Sequence, residues 1–494
     1  ICACLVGSEM CIRDRKGEPI IGASVMVQGS SLGTITNVDG RYTLANVPES
    51  STITVSYIGY ITVNYAATSR NLSQVVLRED SKTLEEVVVV GYGTQKKVNL
   101  TGAVAIVSGD ELTTRSAANL SQLLQGSVPN MNVNFSSGRP GQGGSFNIRG
   151  VNSISADAAP LTIIDGIEGD INKVNPNDVE SISVLKDASA AAIYGVRAAN
   201  GVVIITTKKG QRNQKAKITY NGYIGVQKAT NVLEMANSQE YSTMLLEANY
   251  DAYVSTMKAS IDKFGGDYSD PDFHNWKFDS DTDWYKELLR SALITNHSLG
   301  ISGGTEKSTY SVGMSYLYQD GVMDVENNYK RLNFRAALDY EAANWLKVGF
   351  NGVFSNSTQV LPQNKAWQQA FNAPGIYPVY DSANDNTFPD KYASPDAVGF
   401  TANFYNPVAT ANYYDSQNEN YQVLTNFYAQ FQLLPEKLNF RTSYSYDYSA
   451  IRGREYIAPY YVSSWQQQAV SELTKKDTNY YNYIWDNILT CLLY

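Results

Sequence analysis

The sequence predicts a mainly β protein whose C-terminal part is an antiparallel transmembrane β-barrel, preceded by two smaller domains. Stretches beyond about residue 218 alternate apolar and polar residues, as strands with two different faces do. The connections between them alternate between short turns and long loops, which is typical of membrane-spanning barrels. No run of about 18 apolar residues occurs, so a membrane could be crossed only by strands that close into a barrel.

The alternation is clearest in residues 310–318, 332–340, 346–354, 423–433 and 438–448. Each stretch has roughly the 9–11 residues that a tilted transmembrane strand needs. Short turns are expected at 342–345 and 434–437, and long loops at 232–295 and 358–419. In outer-membrane barrels the short turns face the periplasm and the long loops face outward, so we expect the same here.

Composition and charge exclude several classes of function. The chain has 36 Tyr against 15 Phe and 6 Trp, which suits strands, an aromatic girdle and loops that contact sugars or peptides. The net charge of -9 and the pI of about 5.0 argue against a nucleic-acid partner, which requires a basic face. The Gly-rich residues 138–144 lack the Lys-Ser/Thr pair of a phosphate-binding loop.

No catalytic, metal or cofactor site is predicted. The two histidines, His274 and His297, are far apart, and no Ser–His–Asp arrangement is evident, so we expect no enzyme activity and no cofactor. Residues 279–283 begin like a calcium-binding loop, but Trp284 stands at the sixth position and Arg290 at the twelfth.

The chain divides by sequence into five segments. We expect residues 1–15 and 491–494 to be non-native ends outside the fold, because the first lacks an apolar signal region and both carry the chain's cysteines. Residues 16–80 are predicted to form a β-sandwich, 81–100 a linker, 101–212 a compact α/β domain and 213–494 part of the barrel.

The 16–80 segment resembles the carboxypeptidase-regulatory-like domain, a non-catalytic β-sandwich. Short alternating strands are interrupted by turns, of which 37–40 is the strongest. The residues that carry the resemblance are Pro19, Gly22, Ala23, Val25, Val27, Gly29, Val38, Asp39, Gly40, Tyr42, Tyr57, Ile58, Gly59 and Tyr60.

The linker contains a strongly β-prone run between charged and glycine-rich flanks. It consists of Leu84, Glu85, Glu86, Val87, Val88, Val89, Val90 and Gly91. An extended segment of this kind, lying between two domains, can add a strand to the sheet edge of another protein. The pattern alone equally fits an ordinary buried strand.

The 101–212 segment predicts a mixed α/β fold. A helix is expected near 116–125, strands at 131–135, 160–165, 179–185 and 201–208, and a short Ala-rich helix at 188–194. This segment resembles the plug domain of TonB-dependent receptors, specifically of the SusC/RagA group. Among the motif residues are Arg149, Gly150, Asp165, Gly166, Lys186, Asp187, Tyr194, Gly195, Arg197, Asn200 and Gly201.

The resemblance implies a fold and a function for the whole chain. The family's barrel has 22 strands, as in plugged outer-membrane transporters. Roughly six to eight strand-like stretches are visible at outer-membrane strand length, so the part present cannot close a barrel. The linker residues Leu84–Gly91 fall where the family carries its TonB box.

The implied function is energy-coupled import of oligosaccharides or peptides across the outer membrane. The implied partners are the TonB–ExbB–ExbD complex, a SusD-like surface lipoprotein and outer-membrane lipid, with the sandwich and the TonB box in the periplasm. A siderophore or cobalamin receptor of the same architecture is an alternative. So is a β-sandwich adhesin or glycan-binding surface protein, which would leave the plug motifs unexplained.

Two sets of side chains have two interpretations each. Arg149, Lys186 and Asp187 are candidates for ion pairs between the plug and the barrel wall, or are surface charges of little energetic consequence. Aromatic residues of the loops could stack on a sugar ligand, or could only pack the loops together. They are Trp367, Tyr377, Tyr380, Phe404 and Tyr405.

Overall fold

The computed structural model forms two compact units, residues 1–88 with 94–100 and residues 89–93 with 101–494. It describes residues 10–13, 17–28, 32–44, 47–48, 51–57, 60, 62–67, 74–77, 87–90, 93–96, 103–113, 115, 117–150, 159–187, 191–400, 403–435 and 437–491. No helix among these residues is long and apolar enough to cross a membrane.

The N-terminal unit is a β-sandwich, as the sequence predicts. Its strands are β1 (Met10–Arg13), β2 (Ser24–Val27), β3 (Gly33–Ile35), β4 (Arg41–Tyr42), β5 (Thr52–Ser56), β6 (Val63–Ala66) and β7 (Gln74–Val76). One sheet has the order β3-β2-β5-β6 and the other the order β4-β1-β7. The apolar core of the sandwich contains five fully buried side chains, those of Ile12, Val25, Val55, Val75 and Leu77. The turn predicted at 37–40 is confirmed, since Asn37 Oδ1 accepts hydrogen bonds from the Asp39 and Arg41 amides.

Strand β1 corrects the expectation that residues 1–15 lie outside the fold. It pairs antiparallel with β4 and parallel with β7, and its Ile12 side chain has no solvent exposure. The alternation of this four-residue strand is too short to be recognised without its partners, which lie about 30 and 60 residues along the chain.

The linker contains two strands, β8 (Val87–Val90) and β9 (Gly93–Lys96). They pair with each other as a two-stranded sheet.

The α/β domain, hereafter the plug, covers the described residues from 103 to 207. Its elements are β10 (Val104–Ser108), α1 (Gly109–Leu112), α2 (Leu120–Leu124), β11 (Met131–Asn134), β12 (Ser145–Ile148), β13 (Leu161–Ile164), β14 (Ile167–Glu168), β15 (Val179–Leu185) and β16 (Val202–Thr207), with 3-10 turns at Ile171–Lys173, Pro176–Asp178 and Ala192–Ala198. The main sheet has the order β10-β15-β16-β13-β14, and β11 pairs with β12. The predicted strands are therefore confirmed.

The structure describes only part of the Ala-rich helix predicted at 188–194: Ala191 is α-helical, and its amide donates to the Asp187 carbonyl at 3.0 Å. Residues 188–190 lie outside the described part of the chain, and Ala192–Ala198 is a 3-10 helix interrupted at Gly195. The φ of +68° at Gly195 is incompatible with an α-helix and is readily adopted only by glycine.

The barrel segment is one antiparallel sheet of eight strands in sequence order. They are β17 (Lys217–Gln227), β18 (Ala292–Gly304), β19 (Ser308–Asp320), β20 (Asn328–Ala343), β21 (Leu346–Leu361), β22 (Tyr414–Leu434), β23 (Leu438–Ile457) and β24 (Glu472–Cys491). The last strand ends at Cys491, which pairs with Leu438. Cys491 is therefore part of the fold, contrary to the expectation that residues 491–494 lie outside it.

The two faces of the barrel sheet differ as the alternation predicts. On β20, Leu332, Phe334 and Leu338 are 36–47% exposed and form part of an apolar outer face. Arg331 and Arg335 occupy the alternate positions of the same strand, are 2% and 5% exposed, and point inward. This apolar-out, polar-in order is that of a barrel whose outer face meets lipid.

All of these strands except β17 are longer than the expected 9–11 residues, with 20 or 21 in β22, β23 and β24. Their pairing continues into polar ends, as where Gln417 pairs with Arg454 and Glu419 with Arg452. These ends carry no apolar alternation, so the sequence shows only part of each strand, which in β21, β22 and β23 is the half next to a short turn.

The two long connections are folded rather than irregular. The first contains α3 (Ser238–Ala248), α4 (Tyr250–Phe264), α5 (Trp284–Glu287), a 3-10 turn at Phe273–Asn275 and the paired strands Gly266–Asp267 and Lys277–Phe278. The second contains α6 (Asn364–Asn372), α7 (Pro407–Asn412) and a 3-10 turn at Pro395–Val398, and the paired strands Tyr460–Tyr461 and Gln467–Gln468 lie between β23 and β24. The two long connections and the segment between β23 and β24 share one apolar core. We call these three segments together the loop layer.

We predict that Ile12→Ala destabilises the N-terminal sandwich by about 2–5 kcal/mol, because it leaves a cavity in a closed core. The matched control is Ile21→Ala, whose side chain is 52% exposed; it should change stability by no more than about 0.5 kcal/mol. Hydrogen exchange of the β2 and β5 amides in the intact chain measures both. Equal effects of the two substitutions would show that β1 is not part of the core.

Candidate functional site

The inner wall of the barrel contacts the plug through a buried arginine, Arg331 on β20. Its guanidinium donates hydrogen bonds to the main-chain oxygens of Ala118, at 3.1 Å, and Asn172, and to Asn119 Oδ1 at 3.4 Å. Among the described residues it forms no ion pair with a carboxylate. The charge is therefore stabilised by acceptors of the plug main chain, and hydrogen bonds to a charged group contribute about 1.5–3 kcal/mol each.

A second arginine, four residues further along the same strand and on the same face, forms a buried ion pair. Arg335 Nε lies 3.4 Å from Asp178 Oδ1, and both side chains are nearly buried. The guanidinium also donates to the Lys208 carbonyl at 2.6 Å and to Ser311 Oγ at 2.9 Å. Burial raises the pKa of Asp178, and the adjacent Arg335 opposes that rise.

Neutral side chains of the wall extend this contact. Gln319 Oε1 accepts from the Gly141 amide at 3.0 Å, and Gln359 Nε2 donates to the Pro140 carbonyl at 2.6 Å. Leu424 of β22 is 2% exposed within the plug's own apolar core. The plug is thus held against β19–β22 by polar and apolar contacts.

The sequence patterns did not identify these wall residues as contacts of the plug. The available signal was the inward phase of β20, where two arginines occupy positions that alternate with an apolar outer face. What they bind could not be read, because main-chain carbonyls have no sequence signature.

The interpretation of Arg149, Lys186 and Asp187 as plug-to-wall ion pairs is wrong. Arg149 forms an ion pair with Asp187 inside the plug, and Lys186 Nζ donates to the Pro129 carbonyl at 2.6 Å. Asp187 Oδ2 also accepts from the Ala103 amide at 2.7 Å, and this hydrogen bond is the main reason that the pKa of Asp187 is lowered. The three side chains lie where the chain enters the plug.

The other motif residues maintain the plug fold. Asp165 and Gly166 form a tight turn with φ of +48° and +91°, and Asp165 accepts from the Thr207 amide and hydroxyl at 3.0 and 2.6 Å. Gly201 has a φ of +91°, and a Cβ there would lie 3.0 Å from the Leu185 carbonyl oxygen, so a larger residue would be strained. Gly150 has a φ of +106°, Arg197 forms an ion pair with Glu168, Tyr194 packs on the apolar cluster around Leu185 and Val202, and Asn200 is half-buried.

Of the predicted TonB box, the structure describes Val87–Val90 as strand β8. Leu84, Glu85, Glu86 and Gly91 lie outside the described residues. The assignment of these eight residues as a docking strand stays a prediction.

The aromatic residues of the loop layer separate into buried and exposed groups. Tyr377 is fully buried, its ring lies 5.0 Å from that of Trp284, and its hydroxyl donates to the Tyr405 carbonyl at 2.9 Å. Phe404 stacks on Phe400 with ring centroids 4.1 Å apart. The interpretation of Tyr377 as a ligand-stacking residue is therefore wrong, because it is a core residue.

Trp367 and Tyr380 keep exposed ring surface, at 39% and 58%. Each rests on a second ring, Trp367 on Tyr285 at 4.4 Å and Tyr380 on Tyr392 at 5.0 Å. A ring that is supported from behind and free in front can stack on a flat ligand.

Within the part of the chain that the structure describes, no group of three or more His, Cys, Asp or Glu side chains could hold a metal ion. The Asp-rich residues 279–283 have other partners. Asp281 accepts from the Ser238 amide at 2.8 Å and Asp283 from the Lys286 amide at 3.1 Å.

Comparison with known families supports the same organisation. Residues 96–202 match the TonB-dependent receptor plug domain, and residues 11–89 match the CarboxypepD_reg-like domain. The TonB-dependent receptor SusC of Bacteroides thetaiotaomicron is 33% identical over 410 residues, which are 80% of this chain and 38% of that protein. The chain belongs to the SusC/RagA family of TonB-dependent receptors.

Two further comparisons support the family assignment. TonB-dependent receptor P26 of Formosa agariphila is 32% identical over 451 residues, 88% of this chain and 42% of that protein. The RagAB peptide importer in its open-open state superposes with a TM-score of 0.64 at 27% identity, covering 82% of this chain and 46% of that one. The chain thus spans about two fifths of the length of the curated SusC/RagA-type relatives that it matches.

We predict that Arg331→Ala loosens the plug in this SusC/RagA-type receptor, because three plug acceptors lose a charged donor worth about 1.5–3 kcal/mol per bond. Limited proteolysis and hydrogen exchange at α2 should show faster cleavage and exchange. The matched control is Arg452→Ala on β23, whose side chain is 63% exposed and pairs with an exposed Asp477; exposed pairs contribute about 0–1 kcal/mol. Unchanged protection of α2 in Arg331→Ala would contradict the anchoring role.

We predict that substitution of two tyrosines of the loop layer affects its stability differently. Tyr377→Ala should destabilise the layer by about 3–5 kcal/mol, as truncation of a buried aromatic does, and should speed hydrogen exchange in α4. Tyr380→Ala should leave exchange unchanged, because its ring is largely exposed. Faster exchange in Tyr380→Ala alone would reverse the assignment of core and surface.

Proposed function

We propose that this protein is a TonB-dependent outer-membrane transporter that imports oligosaccharides or peptides with energy from the inner membrane. The observation that carries the proposal is a folded plug held inside a sheet whose opposite face is apolar. A barrel wide enough to pass an oligomer would leak if it were empty. A plug bound to its wall closes it at rest.

The plug contacts supply the reason for energy coupling. Arg331 and Arg335 together engage Ala118, Asn172, Lys208 and Asp178 of the plug and its exit. With charged hydrogen bonds at about 1.5–3 kcal/mol each, spontaneous release of the whole plug is rare. Work applied through the TonB box would move part of the plug, drawing on the TonB–ExbB–ExbD complex.

The proposed orientation places the N-terminal sandwich and the TonB box in the periplasm. Its support is the position of the plug's exit, residues 208–213, at the short-turn end of the sheet. The Asn213 amide donates to the Thr305 carbonyl in one such turn, and Arg212 forms an ion pair with Glu341 next to another. Short turns face the periplasm in outer-membrane barrels.

The relatives support the proposed substrate classes. The RagAB structures are described as those of a peptide importer, which supports peptides, and the SusC/RagA resemblance implies oligosaccharides and a SusD-like lipoprotein partner. The siderophore alternative has narrower support, since the ferric enterobactin receptor PirA of Pseudomonas aeruginosa is 29% identical over only 36% of this chain.

The TonB box is tested by removing main-chain donors. In the full-length receptor, deletion of residues 85–90 should stop uptake while surface binding persists. Val88→Pro should have the same effect, because proline cannot donate to an added strand. Val88→Thr is the matched control, since it keeps a β-branched residue and the amide. Uptake by the deletion variant at the normal rate would refute the assignment.

The partner and the substrate class are tested together. A SusD-like lipoprotein encoded by the neighbouring reading frame should co-purify with the full-length receptor in detergent. Uptake of labelled peptides or labelled oligosaccharides should then require both proteins. A siderophore cluster in its place, with uptake of a ferric siderophore, would favour the alternative receptor.

A further inference from the structure

We propose that a phosphate group binds where the plug's exit meets the short-turn end of the barrel wall, in a basic pocket lined by Lys209, Arg212, Lys307 and Lys347. Inorganic phosphate and the headgroup of an anionic phospholipid both present this chemistry. The proposed site goes beyond the transport function and does not depend on it.

The pocket is a cavity of about 220 Å³. Since a water molecule occupies roughly 30 Å³ in the liquid, the cavity has room for several waters or for one phosphate group with part of its hydration. The plug's exit forms one side of it, and the ends of β19, β20 and β21 form the other. Its charged lining consists of Lys209, Arg212, Lys307, Asp339, Glu341 and Lys347.

Positive charge exceeds negative charge in this lining, because four cations face two carboxylates that already have partners. Asp339 accepts from Lys347 Nζ at 3.0 Å and from the Tyr428 hydroxyl at 2.5 Å. Glu341 forms an ion pair with Arg212. The two remaining cations are Lys209 and Lys307, which form no ion pair within the part of the chain that the structure describes.

One further carboxylate lies near this excess of positive charge. Glu180 of the plug interacts electrostatically with Lys209, but it lines the neighbouring cavity, together with Lys208 and Lys217. Two more cations therefore accompany it there, and the basic character of the plug's exit remains. This local excess contrasts with the net charge of -9 of the chain.

The plug's exit is fixed to the wall, so its cations do not belong to a free tail. The Gly304 amide donates to the Gln214 carbonyl at 3.0 Å. A Cβ at Gly210 would lie 2.3 Å from the Gly303 carbonyl oxygen and 2.4 Å from that of Tyr310, so only glycine allows this approach. The cations on both sides of this glycine are therefore carried by a backbone with a defined position.

A phosphate group matches this lining in charge and in hydrogen bonding. Guanidinium and ammonium groups bind phosphate oxygens through charge-assisted hydrogen bonds, and Thr309 adds a hydroxyl to the lining. A phosphate monoester carries roughly -1.5 to -2 at pH 7, which is close to the unbalanced positive charge. Bound between Lys209 of the exit and Lys307 of the wall, the anion would remove their mutual repulsion and attach the exit more firmly.

The site is tested by equilibrium dialysis of the full-length receptor, purified in detergent, against radiolabelled inorganic phosphate. Saturable binding should be weakened at least about tenfold by Lys209→Gln combined with Lys307→Gln, because two charged donors are lost. Lys209→Arg combined with Lys307→Arg should retain binding. The matched control is Lys215→Gln, in the same exit segment but outside the pocket lining, which should bind like the unmodified receptor.

The lipid source is tested in nanodiscs of phosphatidylcholine, alone or mixed with phosphatidylglycerol, without free phosphate. Native mass spectrometry should show preferential retention of phosphatidylglycerol that the double Gln variant loses, if a headgroup is the ligand. Lys307→Gln alone, in an exposed turn, replaces the double variant if that one fails to fold.

Saturable phosphate binding identifies a site for small phosphates, and retention of phosphatidylglycerol without it identifies a headgroup site. The absence of both would overturn the proposal. So would an equal loss in Lys215→Gln, or displacement of labelled phosphate by acetate as effectively as by unlabelled phosphate at the same ionic strength. Because binding is measured on the purified receptor, these outcomes are independent of whether the receptor transports the proposed substrates.

Discussion

The arrangement of the larger unit depends on two buried arginines of one strand. Arg331 and Arg335 carry charge into a nearly buried interface, and a buried charge must find acceptors there or destabilise the fold. The acceptors come from separate parts of the plug, at Ala118, Asn172 and Asp178, and from its exit at Lys208. The wall and the plug therefore satisfy each other, and neither surface is complete without the other.

The sequence predicted the parts of this fold that repeat locally. The two-residue period marked part of most barrel strands, and turn residues such as those at 37–40 marked the sandwich. Local patterns could not predict long-range pairing. Met10–Arg13 is recognisable as a strand only beside β4 and β7, and Asp187 binds an amide 84 residues away. An Asp and an Arg in one plug motif gave no indication of whether they face the wall or each other.

The loop layer shows a related limit for the candidate site. Aromatic residues in a long loop predict either ligand contact or packing, and the sequence could not separate Tyr377 from Tyr380. The structure places Tyr377 with Trp284 and Tyr253 in a closed core and leaves Tyr380 at its surface. Because the two connections share that core, a ligand bound at the surface meets a firm layer rather than two independent loops.

The pairing of β8 with β9 has a consequence for the proposed docking of Val87–Val90 on a partner. While Val87–Val90 is paired with Gly93–Lys96, its main-chain groups are occupied on that side, so this pairing would compete with a docking partner for the same edge. If docking uses that edge, only the open fraction can bind, and the apparent Kd rises by the reciprocal of that fraction. An isolated pair of strands is marginally stable, so small changes in the stability of this pairing would change the open fraction. The pairing would then set how readily the docking strand is engaged, without any contact of β9 with the partner.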